Sequence, residues 1–222
     1  MGSLNRLLRD YGVAIVIAVT VALFIRFFIV EAYRIPSTAM RPTLEPGDTI
    51  FVSKSIYGLR YPWTQTKFSD GRAPKFGEVV VYAFPEDPRR DFIKRVIGLP
   101  GNTVEIKKGK LLLNGAAITH ASNDKAICGE EEKSETSYAV CWEPPLLDTG
   151  GAIKVPTGQV FVAGDARTQI TDPRKLKNWG LVPISAIKGK ALWVWLSIDP
   201  PNLGARGWFS RIRFERMFAR IR

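Results

Sequence analysis

The stretch Asp91-Phe92-Ile93-Lys94-Arg95-Val96-Ile97-Gly98-Leu99-Pro100-Gly101 decides how the chain is read. Phe92 and Val96 alternate with Ile93 and Ile97, and a Gly-Leu-Pro-Gly turn ends the run. That pattern fits a strand. It would put Phe92, Lys94 and Val96 on one face and Ile93, Arg95 and Ile97 on the other. A lysine set between apolar neighbours is either a solvated strand residue or one held out of water, where its pKa falls. The alternation alone leaves both readings open.

The same logic extends outward. Strands are expected at 49–53, 78–84, 92–97, 103–106, 110–113, 159–163 and 191–197, with Gly and Pro between them. Asn114-Gly115 is a strong hairpin signal. No long amphipathic helix interrupts this region. The expected fold is mainly β, a barrel-like or sandwich domain formed by 31–106 and 159–205, with a more polar, β-rich inserted subdomain at 107–158.

Ahead of this domain, residues 11–30 are apolar apart from Arg26. A helix of that length spans roughly 30 Å, the hydrocarbon core of a bilayer. Arg26 lies near one end and can snorkel to the interface. A cleavable signal peptide is the rival, but the run is long for one and the small residues at 37–39 lie too far beyond it. A retained transmembrane helix is expected, with residues 1–10 as a short tail. Arg6 and Arg9 on one side balance Arg34 and Arg41 on the other, so charge does not set the orientation.

The 222 residues carry a net charge of +11. No nucleic-acid motif accompanies it. Six arginines against one glutamate fall within 206–222, which favours an anionic membrane surface. In that basic tail, Phe214, Met217, Phe218 and Ile221 recur at i, i+3, i+4 and i+7. An amphipathic helix is expected there, lying on a membrane or packed on the domain.

Two cysteines and one histidine exclude a Cys/His zinc site by count and leave His120 as the only candidate for a Ser-His-Asp triad. Cys128 and Cys141 flank an acidic stretch, Glu130, Glu131, Glu132 and Glu135, which reads as an exposed loop. In an oxidising compartment they could close it as a disulfide; in the cytosol they would be free thiols.

Just past the apolar run lies Ile35-Pro36-Ser37-Thr38-Ala39-Met40-Arg41-Pro42-Thr43-Leu44. Its prolines fix φ and are expected to hold the segment extended, with small side chains leaving the backbone open to a substrate strand. Pro36, Ser37, Met40, Pro42, Thr43 and Leu44 resemble the first active-site motif of the bacterial type I signal peptidases, Pro-Ser-any-Ser-Met followed by Pro-Thr-Leu. The family's nucleophilic serine falls on Ala39. Lys94-Arg95 with Gly98-Leu99-Pro100-Gly101 resembles the motif that supplies the general-base lysine. Gly164, Asp165, Arg167, Asp172, Arg174, Trp179 and Gly180 resemble the Gly-Asp-Asn-Arg…Asp-Ser-Arg…Trp-Gly block. The serine that orients the lysine falls on Ile170, with Thr171 next to it. The resemblance covers nearly the whole chain apart from about 107–158.

What the resemblance implies is a membrane-anchored endopeptidase that removes signal peptides from exported preproteins after small-x-small sites, by a Ser/Lys dyad. It assigns Lys94 as general base and Ser37 as oxyanion donor beside the backbone N–H of residue 39. Tyr33, Ile35, Pro36, Met40, Leu44 and Ile93 would line the substrate pockets. Asp165, Arg167, Asp172 and Arg174 would brace the lysine strand by pairing charges. The implied partners are signal peptides and the lipid bilayer, with no nucleic acid, metal or organic cofactor. The implied location is the bacterial plasma membrane, N-terminus cytoplasmic, catalytic domain on the outer face. Alanine has no hydroxyl, so this chain is expected to be inactive. Two origins fit: a serine replaced to trap a complex or stop self-cleavage, which is favoured, or a natural non-catalytic relative that binds signal sequences or serves as a scaffold.

Overall fold

The computed structural model describes residues 2–61, 66–67, 69–108, 110–120, 128–133, 135–142, 148–167, 180–199 and 211–221. A helix, α1 (Gly2–Phe24), runs on through a π-helical turn at Ile25–Ile29. Its segment Tyr11–Ile29 is long and apolar enough to cross a membrane and is unburied. The helix begins before the apolar run, so residues 2–10 continue it.

The chain then enters β1 (Val30–Arg34), a strand that sequence reasoning missed because Val30 closes the apolar run. Six more strands join it in an antiparallel sheet: β2 (Asp48–Ser53), β3 (Val79–Phe84), β4 (Asp87–Gly98), β12 (Gln159–Ala163), β13 (Leu181–Pro183) and β14 (Ile187–Ser197). Their order is β1-β2-β14-β3-β4-β12-β13, so β1 is an edge strand and β4 lies inside. Between β4 and β12 the chain builds two smaller sheets. One holds β5 (Thr103–Lys107), β6 (Lys110–Leu113), β7 (Ala116–Ala117) and β11 (Ile153–Lys154). The other holds β8 (Thr119–His120), β9 (Cys128–Lys133) and β10 (Thr136–Cys141). Asn114 and Gly115 turn between β6 and β7 with φ of 53° and 81°, the left-handed pair that a two-residue hairpin requires.

The main sheet is apolar on both faces, and β3 shows why. Val79 and Val81 join Ile35, Met40, Leu44, Ile50 and Val52 in one cluster, while Val80 and Tyr82 join Tyr57, Val96, Val160 and Val162 in another. A third cluster packs Ile97 and Phe161 of the main sheet against Val104, Ile106, Leu111, Tyr138 and Val140. Each such aliphatic side chain contributes about 1.5–3 kcal/mol when fully buried.

The basic tail differs from expectation. Residues 211–221 form no α-helix; they run along β14, with a 3-10 turn at Phe214–Arg216. Trp193 pairs with Arg220 and Ile198 with Ile212. The reason lies in β14, whose pairing with β3 stops at Lys190 and leaves backbone groups beyond it for the tail. Val194 N donates to Ala219 O at 2.9 Å, and Ile221 N to Leu192 O at 2.9 Å. Two of the arginines go to one buried acid: Arg213 Nη2 lies 3.0 Å from Asp48 Oδ1 and Arg216 Nη2 2.7 Å from Oδ2. Ile221 is buried, whereas Phe214 and Phe218 are exposed. The four residues therefore do not share a face.

Asp48 also accepts from Ser197 Oγ at 2.6 Å. Asp48→Ala leaves two cations facing a buried void. The expected loss is about 2–3 kcal/mol, below that of a fully buried pair because both arginines are partly solvated. Urea denaturation measures it. A second acid, Glu78, takes Arg72, Lys190 Nζ at 2.9 Å and the Tyr57 hydroxyl at 2.8 Å. Burial pushes its pKa up, but those partners outweigh burial and hold it at about 2 instead of 4.5. Its contribution to stability is therefore complete above about pH 4.5 and lost as pH falls toward 2. The Glu78→Gln chain, followed over that range by thermal melts, should show a flatter acid dependence than the unsubstituted chain.

Candidate active site

The site is built on a loop closed at its base. Ile35 N donates to Asp48 O at 2.8 Å, and Gly47 N donates back to Ile35 O at 2.9 Å. Inside it, Arg41 N donates to Thr38 O at 3.0 Å and Leu44 N to Met40 O at 2.9 Å. The segment is thus coiled from Thr38 onward, not extended throughout as its prolines suggested. Met40 and Leu44 are buried beneath it and Ser37 is exposed, with half-buried Ala39 between.

Lys94 lies on β4, opposite Val80 of β3. Phe92 and Val96, its neighbours in the alternation, both pack in one apolar cluster. Desolvation of the amine lowers the Lys94 pKa; the Asp165 carboxylate opposes this and the Arg167 cation adds to it. Gly164 locates this amine. A methyl group at Gly164 would collide with the carbonyl oxygen of Ala39 and stand 3.1 Å from Lys94 Nζ. The backbone of residue 39 and the amine of Lys94 therefore converge over one glycine that has no side chain to separate them. Ala166 N, two residues on, donates to Ala39 O at 3.3 Å.

Around this point lies a buried set of charges. Arg95 and Asp165 are both fully buried. Arg95 Nε reaches Asp165 Oδ1 at 2.7 Å and Nη2 reaches Oδ2 at 2.6 Å, a two-pronged pair. Thr43 of the site loop donates to Asp165 Oδ2 at 2.5 Å. Arg167 is also fully buried, and its partner is Glu131 at 2.5 Å. That corrects the exposed acidic loop: Glu130 and Glu132 are exposed, but Glu131 points inward from β9. The stretch is a hairpin, β9 with β10, whose ends are joined by a Cys128–Cys141 disulfide. Asp172, Arg174, Ile170, Thr171 and Trp179 lie outside the described residues.

The six residues expected to line pockets divide by burial. Ile35, Met40 and Leu44 are core beneath the loop, with half-buried Tyr33 and Ile93 packed against them. Pro36 is exposed. Tyr33 Oη donates to Glu31 at 3.1 Å; burial, then Glu31 and Asp91, raise its pKa. Among the described residues, no group of three His, Cys, Asp or Glu could hold a metal ion.

Sequence reasoning assigned no role to Thr43, Arg95, Glu131 or Tyr138. Arg95 and Thr43 stand inside motifs that were recognised, so adjacency was their available signal. Glu131 has only its strand period, one inward position among exposed acids. Chemically, the arrangement offers an amine of reduced basicity facing residue 39 and no hydroxyl at that residue.

The chain matches the family described as signal peptidase, peptidase S26, over residues 8–196. A signal peptidase I from Pseudomonas fluorescens is 34% identical, the match covering 93% of this chain and 78% of that protein. One from Aquifex aeolicus is 30% identical over 88% of this chain and 87% of its own length. A signal peptidase I structure from Enterococcus faecalis overlaps 54% of this chain and 97% of its own, at 23% identity and a TM-score of 0.35, too low to bear on the fold. The chain belongs to the signal peptidase I family.

Gly164→Ala tests the convergence over this glycine. The added methyl forces the Ala39 carbonyl and the Lys94 amine apart, at about 1–3 kcal/mol, the usual range for overpacking. Denaturant unfolding reads the loss, and a crystal structure should show the 35–48 loop displaced.

Proposed function

We propose that this chain is a membrane-anchored signal peptidase whose nucleophile position holds alanine, so that it binds its substrate without cutting it. The observation that carries the reading is the meeting of the Lys94 amine and residue 39 over Gly164. A serine at position 39 would pass its proton to neutral Lys94 while attacking the scissile carbonyl. The backbone N–H of residue 39 and the Ser37 hydroxyl would hold the oxyanion. Lys94 would then protonate the leaving amine, and water would release the acyl group. Neither oxyanion donor depends on the missing hydroxyl.

The substrate is an extended signal peptide laid along edge strand β1, which offers backbone groups for strand addition. Tyr33 and Ile93, packed against Ile35, Met40 and Leu44, would supply the apolar surface beside β1 against which small side chains are accepted and large ones rejected. Asp165 braces the lysine strand through its pair with Arg95, and Arg167 holds the adjoining turn through Gly164 O and Glu131. Helix α1 anchors the chain in the plasma membrane. The disulfide favours an oxidising compartment for the β domain, hence a cytoplasmic N-terminus and an outer catalytic face.

The Ala39→Ser chain in detergent should cleave a small-x-small peptide, and adding Lys94→Met should lower kcat by about 10³-fold or more. The unsubstituted chain should bind the same peptide without turnover. Binding without cleavage by the Ala39→Ser chain would make the protein a non-catalytic adaptor. No binding by either chain would leave a scaffold.

A further inference from the structure

Glu131 is a fully buried acid in an otherwise exposed acidic run, and the inserted hairpin carries it to the back of the site. Its Oε2 accepts from Arg167 Nη2 at 2.5 Å and from the Tyr138 hydroxyl at 2.7 Å. Its Oε1 accepts from Thr119 Oγ1 at 3.0 Å. The hairpin is also tied to the turn after β12 by backbone bonds. Cys141 N donates to Asp165 O at 2.9 Å, and Arg167 N donates to Cys141 O at 2.7 Å. Arg167 Nε donates to Gly164 O at 2.8 Å, the residue over which Lys94 and Ala39 meet. On the same hairpin, the Tyr138 ring lies 4.0 Å from the Arg95 guanidinium carbon.

We propose that Glu131 is a positioning residue of the catalytic centre, fixing Arg167 and through it the Gly164–Arg167 turn that supports Lys94 and residue 39. This rests on the reading of Lys94 as the general base. The insert is then part of the site's rear wall, and the Cys128–Cys141 bond holds the hairpin that delivers Glu131. The charges around Arg167 are Glu131, Asp165, Lys94 and Arg95, with the Tyr138 phenol beside them. Two cations against two carboxylates leave the lysine next to a balanced set. Without Glu131, the Arg167 charge is unpaired, still held by Gly164 O, and repels a protonated Lys94.

The test is an NMR titration of the Lys94 amine in the chain as it stands, against Glu131→Gln. The expected result is a Lys94 pKa lowered by about half a unit or more. In the Ala39→Ser background, the same substitution should move the acid limb of kcat/KM to lower pH and reduce kcat about tenfold. Loss of general stability alone would not move that limb. Glu131→Asp keeps the charge one methylene short and should shift Lys94 in the same direction by less. It decides the matter if Glu131→Gln does not fold. A depressed Lys94 pKa left unmoved by the substitution overturns the proposal alone. A Lys94 that titrates like a solvated lysine in the unsubstituted chain overturns the general-base reading and this proposal with it.

Discussion

The two-pronged Arg95–Asp165 pair is the constraint on which the rest of the site depends. Desolvating two such ions costs several kcal/mol each, and only saturated hydrogen bonding offsets it. Here Arg95 also donates to Gly77 O at 2.7 Å, and Thr43 bonds Asp165 from the site loop. Three pieces of chain meet at this pair: the lysine strand β4, the turn after β12, and the loop that carries residue 39. None can shift without breaking a buried charge contact. Lys94 follows from that rigidity, since it is the residue immediately before the pinned arginine.

The pair also explains why an amine of reduced basicity persists next to a carboxylate. Asp165 is committed by hydrogen bonds to Arg95 and Thr43, and its charge raises the Lys94 pKa by less than burial lowers it. Arg167 lies close by and opposes protonation of Lys94. Burial therefore prevails over the nearby acid.

Much of the fold was legible in the sequence because its strands are apolar at the period they require. The 78–84 and 110–113 runs and the Asn114-Gly115 turn were read almost as they stand. The strand β1 was hidden because the apolar helix runs straight into it. The tail misled because its period of apolar residues is helical, while the free backbone of β14 and the buried Asp48 compete for it more strongly than helix propensity does. At the site, Lys94 and residue 39 were legible as motifs. Their support was not, since a pairing such as Glu131 with Arg167 joins residues far apart in the chain and leaves no local pattern.

One strand separates the apolar helix α1 from the loop that carries residue 39. The chain leaves the π-helical turn at Ile29, runs through five residues of β1, and enters the loop that carries residue 39. The most direct measurement of the central claim is a crystal structure of the Ala39→Ser chain at a resolution that fixes side-chain positions. The account predicts the Lys94 amine within hydrogen-bonding distance of the new hydroxyl, about 2.6–3.2 Å. An amine turned outward into solvent, or drawn away from position 39 into an ion pair with Asp165, would contradict it.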